Sequence, residues 1–381
     1  MGKKPILKTS ESRKAKKEAP KREPPKPETA RASSQDVARQ QIILNVFQDA
    51  FSELLSSNEH NTTLQEVKQA LFNRDFETAF GREEYLEVYA ARWSPTRALC
   101  YESVLQNIKP HLKPLFRPSP SEEGASASAS ASAGPDATGS STPAVRVVSI
   151  GGGAAEIVAF GGFLGRPGDD NPDLRGNIHL VDSGPWGGVV EKLRAGLTVP
   201  PRLSKYAGAA ARAANAALVD EERVSATFAR GDVLSLGKAG LAGHVGEVPV
   251  LATLLFTLNE LFTSGGIAKT TAFLLDLTCV LPVGSLLLVV DSPGSYSETV
   301  VGKQARKYPM QWLLDKILLA TESEPVEGRR WTKLESVDSV WFRLAGALDY
   351  PIPLEDMRYQ MHLYRVDRAN AKDDISAKST G

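Results

Sequence analysis

A strand-like run, Val145-Arg146-Val147-Val148-Ser149-Ile150, stops at three consecutive glycines, Gly151-Gly152-Gly153, and continues as an apolar stretch from Ala154-Ala155-Glu156. β-Branched residues favour extended backbone, and glycine permits the dihedrals and close main-chain approach of a tight turn into a helix. More strand-like runs follow at Asn177–Asp182, Ser225–Phe228, Val250–Leu258 and Ser285–Asp291, with late ones in Val340–Leu344 and Tyr359–Val366. Helical stretches are expected between them, including one running to Leu277 and another over Lys307–Leu319. Apolar strands alternating with helices predict an α/β fold: a mainly parallel sheet with helices on both faces, and ligands at the carboxyl ends of its strands.

The chain before this pattern has a different character. In residues 35–118, Ile42, Ile43, Val46, Phe47, Phe51, Leu54 and Leu55 form one helical face, and Leu64, Val67, Leu71 and Phe72 form another. Further helices are expected in Glu84–Trp93 and, opened by Ser94-Pro95-Thr96, over Arg97–Ile108. Residues 119–143 are an Ala/Ser-rich linker that cannot build a core, expected to be disordered and to sit as an insertion in a surface loop. Residues 1–34 carry 11 Lys and Arg against 4 Glu, so a basic tail precedes a body of opposite net charge in a chain neutral overall. Tail and C-terminal residues 369–381 are expected to be disordered, leaving 144–368 as the α/β domain. The basic tail fits a polyanion partner, nuclear import or simple solubility.

Several function classes are excluded. Two cysteines, Cys100 and Cys279, give no disulfide scaffold or Cys-rich metal site, and the 5 His form no ligand-spaced pair, so no metal is expected. No G-x-S-x-G or G-x-x-x-x-G-K-[ST] motif occurs. No secretory signal is expected in the first residues. The apolar window 271–290 is broken by Asp276, Pro282 and Gly284, so no membrane partner is expected.

The candidate site residues sit at strand ends. Gly151 and Gly153 form a loop that lets a ligand approach the main chain, while Glu156, placed where a dinucleotide motif has its third glycine, disfavours a pyrophosphate. That charge points to a cationic or zwitterionic ligand such as S-adenosyl-L-methionine (SAM); a ligand-free βα turn is the plainer reading. Asp182 ends the next strand and can accept bonds from both ribose hydroxyls, or cap a turn. Trp186 either covers an adenine or packs on the sheet, packing being the favoured role. Asp232, with the Val233 backbone, can receive the adenine edge. Asn259, Glu260 and Asp291 are the candidate catalytic groups at the next strand ends, with structural capping as the alternative. Tyr296 can stack on an acceptor base, and Arg92, Arg97, Lys109 and Lys113 can contact phosphate, though solvated surface charge is the default for such residues.

The segments SIGGGAAE, HLVDSGPWG, ARGDVL, LLFTLNELF, LLVVDSPGSYS, YPMQWLLDKIL and YAARWSPTRALCYESVL resemble the fungal large-subunit (25S) ribosomal RNA uridine-N3-methyltransferases, from about residue 38 to the end outside the linker. The resemblance implies a Rossmann-like seven-stranded methyltransferase sheet with its last strand antiparallel, SAM as donor, and work on ribosomal RNA or a pre-ribosomal particle in the nucleus or nucleolus, with the cytoplasm also open. It carries the cofactor loop onto Gly151 and Gly153, the ribose acid onto Asp182 and the adenine-side acid onto Asp232. Ser149 stands where an acid often precedes the first glycine, and Ala155 where a third glycine is usual. The alternatives are a methyltransferase of protein or small molecules, and a catalytically silent methyltransferase-like assembly factor.

Overall fold

The computed structural model describes residues 34–369, apart from 58–59, 119–141, 167, 169, 214, 295, 302–303 and 347. The basic tail up to residue 33, most of the Ala/Ser linker and residues 370–381 therefore lie outside the described residues.

Seven helices come first: α1 (Ser34–Ala50), α2 (Ser52–Ser56), α3 (His60–Phe72), α4 (Phe76–Phe80), α5 (Glu83–Arg92), α6 (Ser94–Asn107) and α7 (Lys109–Leu112). Strands β1 (Arg117–Pro118) and β2 (Pro143–Ile150) follow, then α8 (Ala154–Leu164), β3 (Arg175–Asp182), α9 (Gly187–Thr198), α10 (Ala209–Ala213), β4 (Val224–Arg230), α11 (Gly237–Val245) and β5 (Leu251–Leu255). The chain ends with α12 (Leu258–Glu260), α13 (Gly266–Val280), β6 (Leu286–Asp291), β7 (Tyr296–Val301), β8 (Gln304–Pro309), α14 (Met310–Leu318), β9 (Arg329–Phe342) and β10 (Met357–Arg368).

The main sheet runs β4-β3-β2-β5-β6-β10-β9, with β1 paired to β2 off this path. Strands β2 to β6 pair in parallel, while β10 enters antiparallel between β6 and β9. The chain winds outward from β2 to β4, then crosses back to β5, so the switch point lies between β2 and β5. Arg117 of β1 pairs with Ala144 and Pro118 with Pro143, so the segment between them leaves and re-enters at one edge of two paired strands.

Side-chain alternation builds two cores. Val145 and Val147 of β2 and Leu286, Leu288 and Val290 of β6 face one, and Val148, Ile150, Leu287 and Val289 face the other. The first core holds α8 and the N-terminal helices; the second holds α11, α13 and α14. Helix α8 is buried along its whole length, because its sequence AAEIVAFGGFL has no polar face to give to water. Gly162 lets the N-terminal helices close on it: a Cβ there would stand 3.1 Å from Glu102 and 3.2 Å from Ile43. The helical region thus forms an outer layer over α8 that shares the core of the sheet.

Two expectations change in detail. The run from Val250 leaves the sheet at Leu255, because Phe256 takes φ 58°. The helix expected over Lys307–Leu319 begins at Met310; Pro309 holds the preceding residues extended, and they form β8, paired with β7 in a two-stranded ribbon.

Candidate active site

A cleft of about 680 Å³ opens at the carboxyl ends of the parallel strands, at the switch point, within the size range of small-molecule sites. The loops after β2, β3, β4 and β5 form one wall. The other wall is Phe76, Phe80, Tyr89, Ser94 and Arg97 from the helical region.

Gly151 sits in the left-handed region at φ 68°, and a Cβ on it would meet the Thr257 side chain at 2.3 Å. On Gly153 a Cβ would stand 2.7 Å from the Trp186 ring. The loop is therefore bare main chain pressed between two side chains, which is what a ligand lying on the backbone requires. Glu156 turns back on the loop, its Oε2 accepting the Gly153 N–H at 2.8 Å, the reciprocal bond of a helix N-terminus. Burial pushes its carboxyl up to about 7, against the pull of that bond. Ser149 faces away from the cleft; its Oγ accepts from Thr253 Oγ1 at 3.0 Å inside the sheet.

Asp182 ends β3 and lines the cleft, with Oδ1 accepting the Gly184 N–H at 2.7 Å. Burial raises its carboxyl to about 6, partly offset by bonds from the Gly184 backbone and the Trp186 side chain. Trp186 is buried and lines the cleft, its ring 5.9 Å from Tyr89 in an edge contact and 6.4 Å from Phe80. It both packs and forms cleft wall. Asp232 is exposed and also on the wall; its carboxylate accepts the Leu234 N–H at 3.0 Å and the Ser235 hydroxyl at 2.7 Å, fixing the turn beside buried Val233.

At the end of β5, Phe256 holds a positive φ that a bulky residue rarely adopts, and its N–H donates to Val290 O at 2.7 Å. This turn brings Glu260 onto the cleft wall, where burial pushes its carboxyl up to about 7 despite nearby Arg97. Asp291 is placed differently from the expectation of a catalytic group. It lies behind the wall, with Oδ2 accepting the Asn259 N–H at 3.0 Å and Oδ1 the Ser292 N–H at 2.7 Å, so it ties two loops together. Burial raises its carboxyl to about 6. Asn259 is also set back from the wall, and its buried Oδ1 has no partner among the described residues.

The helical packing sets the expected phosphate contacts apart from one another. Arg97 is no solvated surface residue: α6 packs against α8 and delivers it to the cleft wall. Its guanidinium donates to the Tyr89 hydroxyl and lies 4.9 Å from the centroid of Phe256 and 5.4 Å from that of Tyr89. Burial alone would weaken its charge, but the surrounding phenols and carboxylates hold it cationic. Arg92 is away from the cleft, paired with Glu355 at 2.6 Å, and Lys113 is paired with Asp170 at 3.4 Å. Tyr296 begins β7, and its side chain lies outside the described residues.

Phe76, Phe80, Tyr89 and Phe256 were not singled out from sequence, whereas Glu156 was, as the acid that follows the glycine loop. Tyr89 and Trp93 are one helical turn apart, an aromatic signal, yet nothing local ties them to a glycine loop sixty residues on. Among the described residues no group of His, Cys, Asp and Glu could hold a metal ion, and no helix is long and apolar enough to cross a membrane.

The arrangement fits SAM. The bare glycine loop, a half-buried acid at the end of β3 and an excess of carboxylate suit an adenosyl ligand carrying a sulfonium. A family profile described as "Putative SAM-dependent methyltransferase" matches residues 47–365. The 25S rRNA (uridine(2843)-N(3))-methyltransferase of Saccharomyces cerevisiae is 30% identical over 347 residues, 85% of this chain and 85% of that protein. Among solved structures, a SAM-dependent methyltransferase from Methanosarcina mazei aligns with TM-score 0.33 and 9% identity, covering 59% of this chain and 93% of its own. An O-methyltransferase family protein from Burkholderia thailandensis gives TM-score 0.33 and 12% identity, covering 83% and 74%. With the strand order, the cleft and a family match across most of its length, the chain belongs to the SAM-dependent methyltransferases.

Proposed function

We propose that this methyltransferase acts on N3 of a uridine in large-subunit ribosomal RNA, in the nucleus or nucleolus during ribosome assembly. The observation that carries the reading is the extent of similarity to the yeast enzyme, which spans the helical layer and the sheet alike. Uracil N3 bears a hydrogen and normally pairs, so the base must be unpaired or turned out of its helix to react. Its nitrogen becomes nucleophilic once that proton leaves. Glu260, on the cleft wall with its carboxyl at about 7, is suited to accept the proton, since a base poised near the working pH transfers protons most effectively. The nitrogen lone pair then forms the bond to the methyl carbon as the carbon–sulfur bond breaks, leaving S-adenosylhomocysteine. Asp291 and Asn259 support Glu260 from behind by fixing the turn that carries it. Alignment of the two reactants and exclusion of water supply most of the rate.

The test is nucleoside analysis of ribosomal RNA from cells lacking the gene, with and without the wild-type chain restored. Loss of one 3-methyluridine and its return on restoration is expected. If every 3-methyluridine persists, the ribosomal reading fails. Normal RNA with a missing methyl group on a protein or small molecule would place the acceptor elsewhere.

A further inference from the structure

We propose that Arg97 is a donor-binding residue whose guanidinium takes the α-carboxylate of SAM, so that the N-terminal helical layer helps hold the donor rather than only the acceptor. The argument begins with charge. The donor bears a sulfonium and an ammonium, both positive, and a single carboxylate. The cleft presents Glu156, Asp182 and Glu260 on its wall, with Asp291 behind them. These groups suit the two positive centres and would repel the carboxylate. A cation must therefore face it if the whole methionine moiety is to enter.

Among the described residues lining the cleft, Arg230 and Lys269 are exposed, and Arg230 donates to Ser183 O at 2.9 Å on the side of the β3 and β4 loops. Arg97 is the cation held inside, between the rings of Phe256 and Tyr89. The Phe256 ring approaches the guanidinium without consuming a donor, and one bond, to the Tyr89 hydroxyl, sets its rotation. Remaining N–H donors are left for a planar, two-oxygen partner, the geometry in which Arg binds carboxylates most strongly. Tyr101, one helical turn on and behind the cleft wall, has a buried hydroxyl without a partner among the described residues, and its ring lies 6.3 Å from Phe256. The spare donors of Arg97, on the wall itself, are what an anion in the cleft would meet.

This inference rests on the donor and is independent of the ribosomal acceptor. It is tested by calorimetric titration of the full chain with SAM and with decarboxylated SAM, which differ only in the carboxylate. The wild-type chain is expected to prefer SAM by about 10-fold or more, the range for a charge-assisted bond. Arg97→Gln should reduce the preference to within about twofold by weakening SAM alone, and Arg97→Lys should restore part of it. Equal wild-type affinity for the two ligands would overturn the proposal even if no variant folds. So would an Arg97→Gln protein that loses both ligands in proportion, or one that keeps the preference and loses only methyl transfer, since Arg97 would then serve packing or the acceptor. A wild-type chain that binds neither ligand would instead refute the donor itself.

Discussion

The guanidinium of Arg97, on the helix before the sheet, lies 4.9 Å from the ring centre of Phe256, the strained residue where β5 ends. The contact joins the two walls of the cleft. Replacing Phe256 with Leu keeps an apolar group and the positive φ but removes the π-face. The expected cost is about 1–2 kcal/mol of stability, for a partly desolvated cation–π pair. Denaturant unfolding of wild type and Phe256→Leu measures it, and unchanged stability would show that the contact is incidental.

Gly153 has no room for a side chain, since a Cβ would press to 2.7 Å from the Trp186 ring. Gly153→Ala should destabilise the chain by about 1–3 kcal/mol, as overpacking does, and displace Trp186. Thermal melting and S-adenosylhomocysteine titration should both fall together. A variant that melts and binds like wild type would contradict the crowding described for this loop.

For Asp182 the two readouts should move in opposite directions. Asp182→Asn retains an oxygen for the Gly184 N–H but removes a buried charge whose carboxyl is raised to about 6. Above that pH the ligand-free variant should melt at or above the wild-type temperature, while S-adenosylhomocysteine affinity falls about 10-fold or more. A loss of stability without a loss of affinity would assign Asp182 to structure alone.

Four carboxyls, Glu156 and Asp291 buried and Asp182 and Glu260 half-buried, also set a pH dependence of folding. Glu156 and Glu260 lie at about 7, and Asp182 and Asp291 at about 6, all raised by burial above their ordinary values. A raised carboxyl binds its proton more tightly when folded, so its stabilising contribution is complete at low pH and is lost as pH rises through the folded value. The ligand-free protein should therefore lose stability between about pH 4 and 7, each group contributing roughly 3 kcal/mol at most. Positively charged SAM should raise the melting temperature more at pH 8 than at pH 5. A flat profile on both counts would mean these carboxyls are solvated.

Glu260 should govern the rate. If it accepts the N3 proton, kcat/KM rises with pH through about 7, the value its carboxyl holds in the cleft. Glu260→Gln should lower kcat by about 100-fold or more and flatten that rise, a loss larger than the one it causes in SAM affinity. An unchanged pH profile in the variant would move the proton acceptor elsewhere.

Much of the sheet could be read from local pattern. Val145–Ile150 and Ser285–Asp291 carry apolar residues on both faces, which only a strand covered on both sides can use, and glycines or acids mark the ends where ligands bind. Gly151, Gly153, Asp182 and Asp232 were legible because each follows a strand directly, and all four line one cleft. Asp291 had the same signature, yet it caps a neighbouring loop, because a strand-end carboxylate serves backbone N–H groups as readily as a ligand.

Arg97 shows the opposite limit. Its own segment reads as a polar position on an amphipathic helix, and nothing nearby distinguishes it from a solvated surface charge. Sequence by itself determined the strands, their glycine turns and the apolar helix α8, since backbone preference and side-chain period act over a few residues. Only the tertiary structure decided that α6 packs on α8 and carries Arg97 to the cleft wall beside Phe256. Which helix covers a wholly apolar one depends on shape matching between distant segments, and Gly162 permits that approach without revealing its partner.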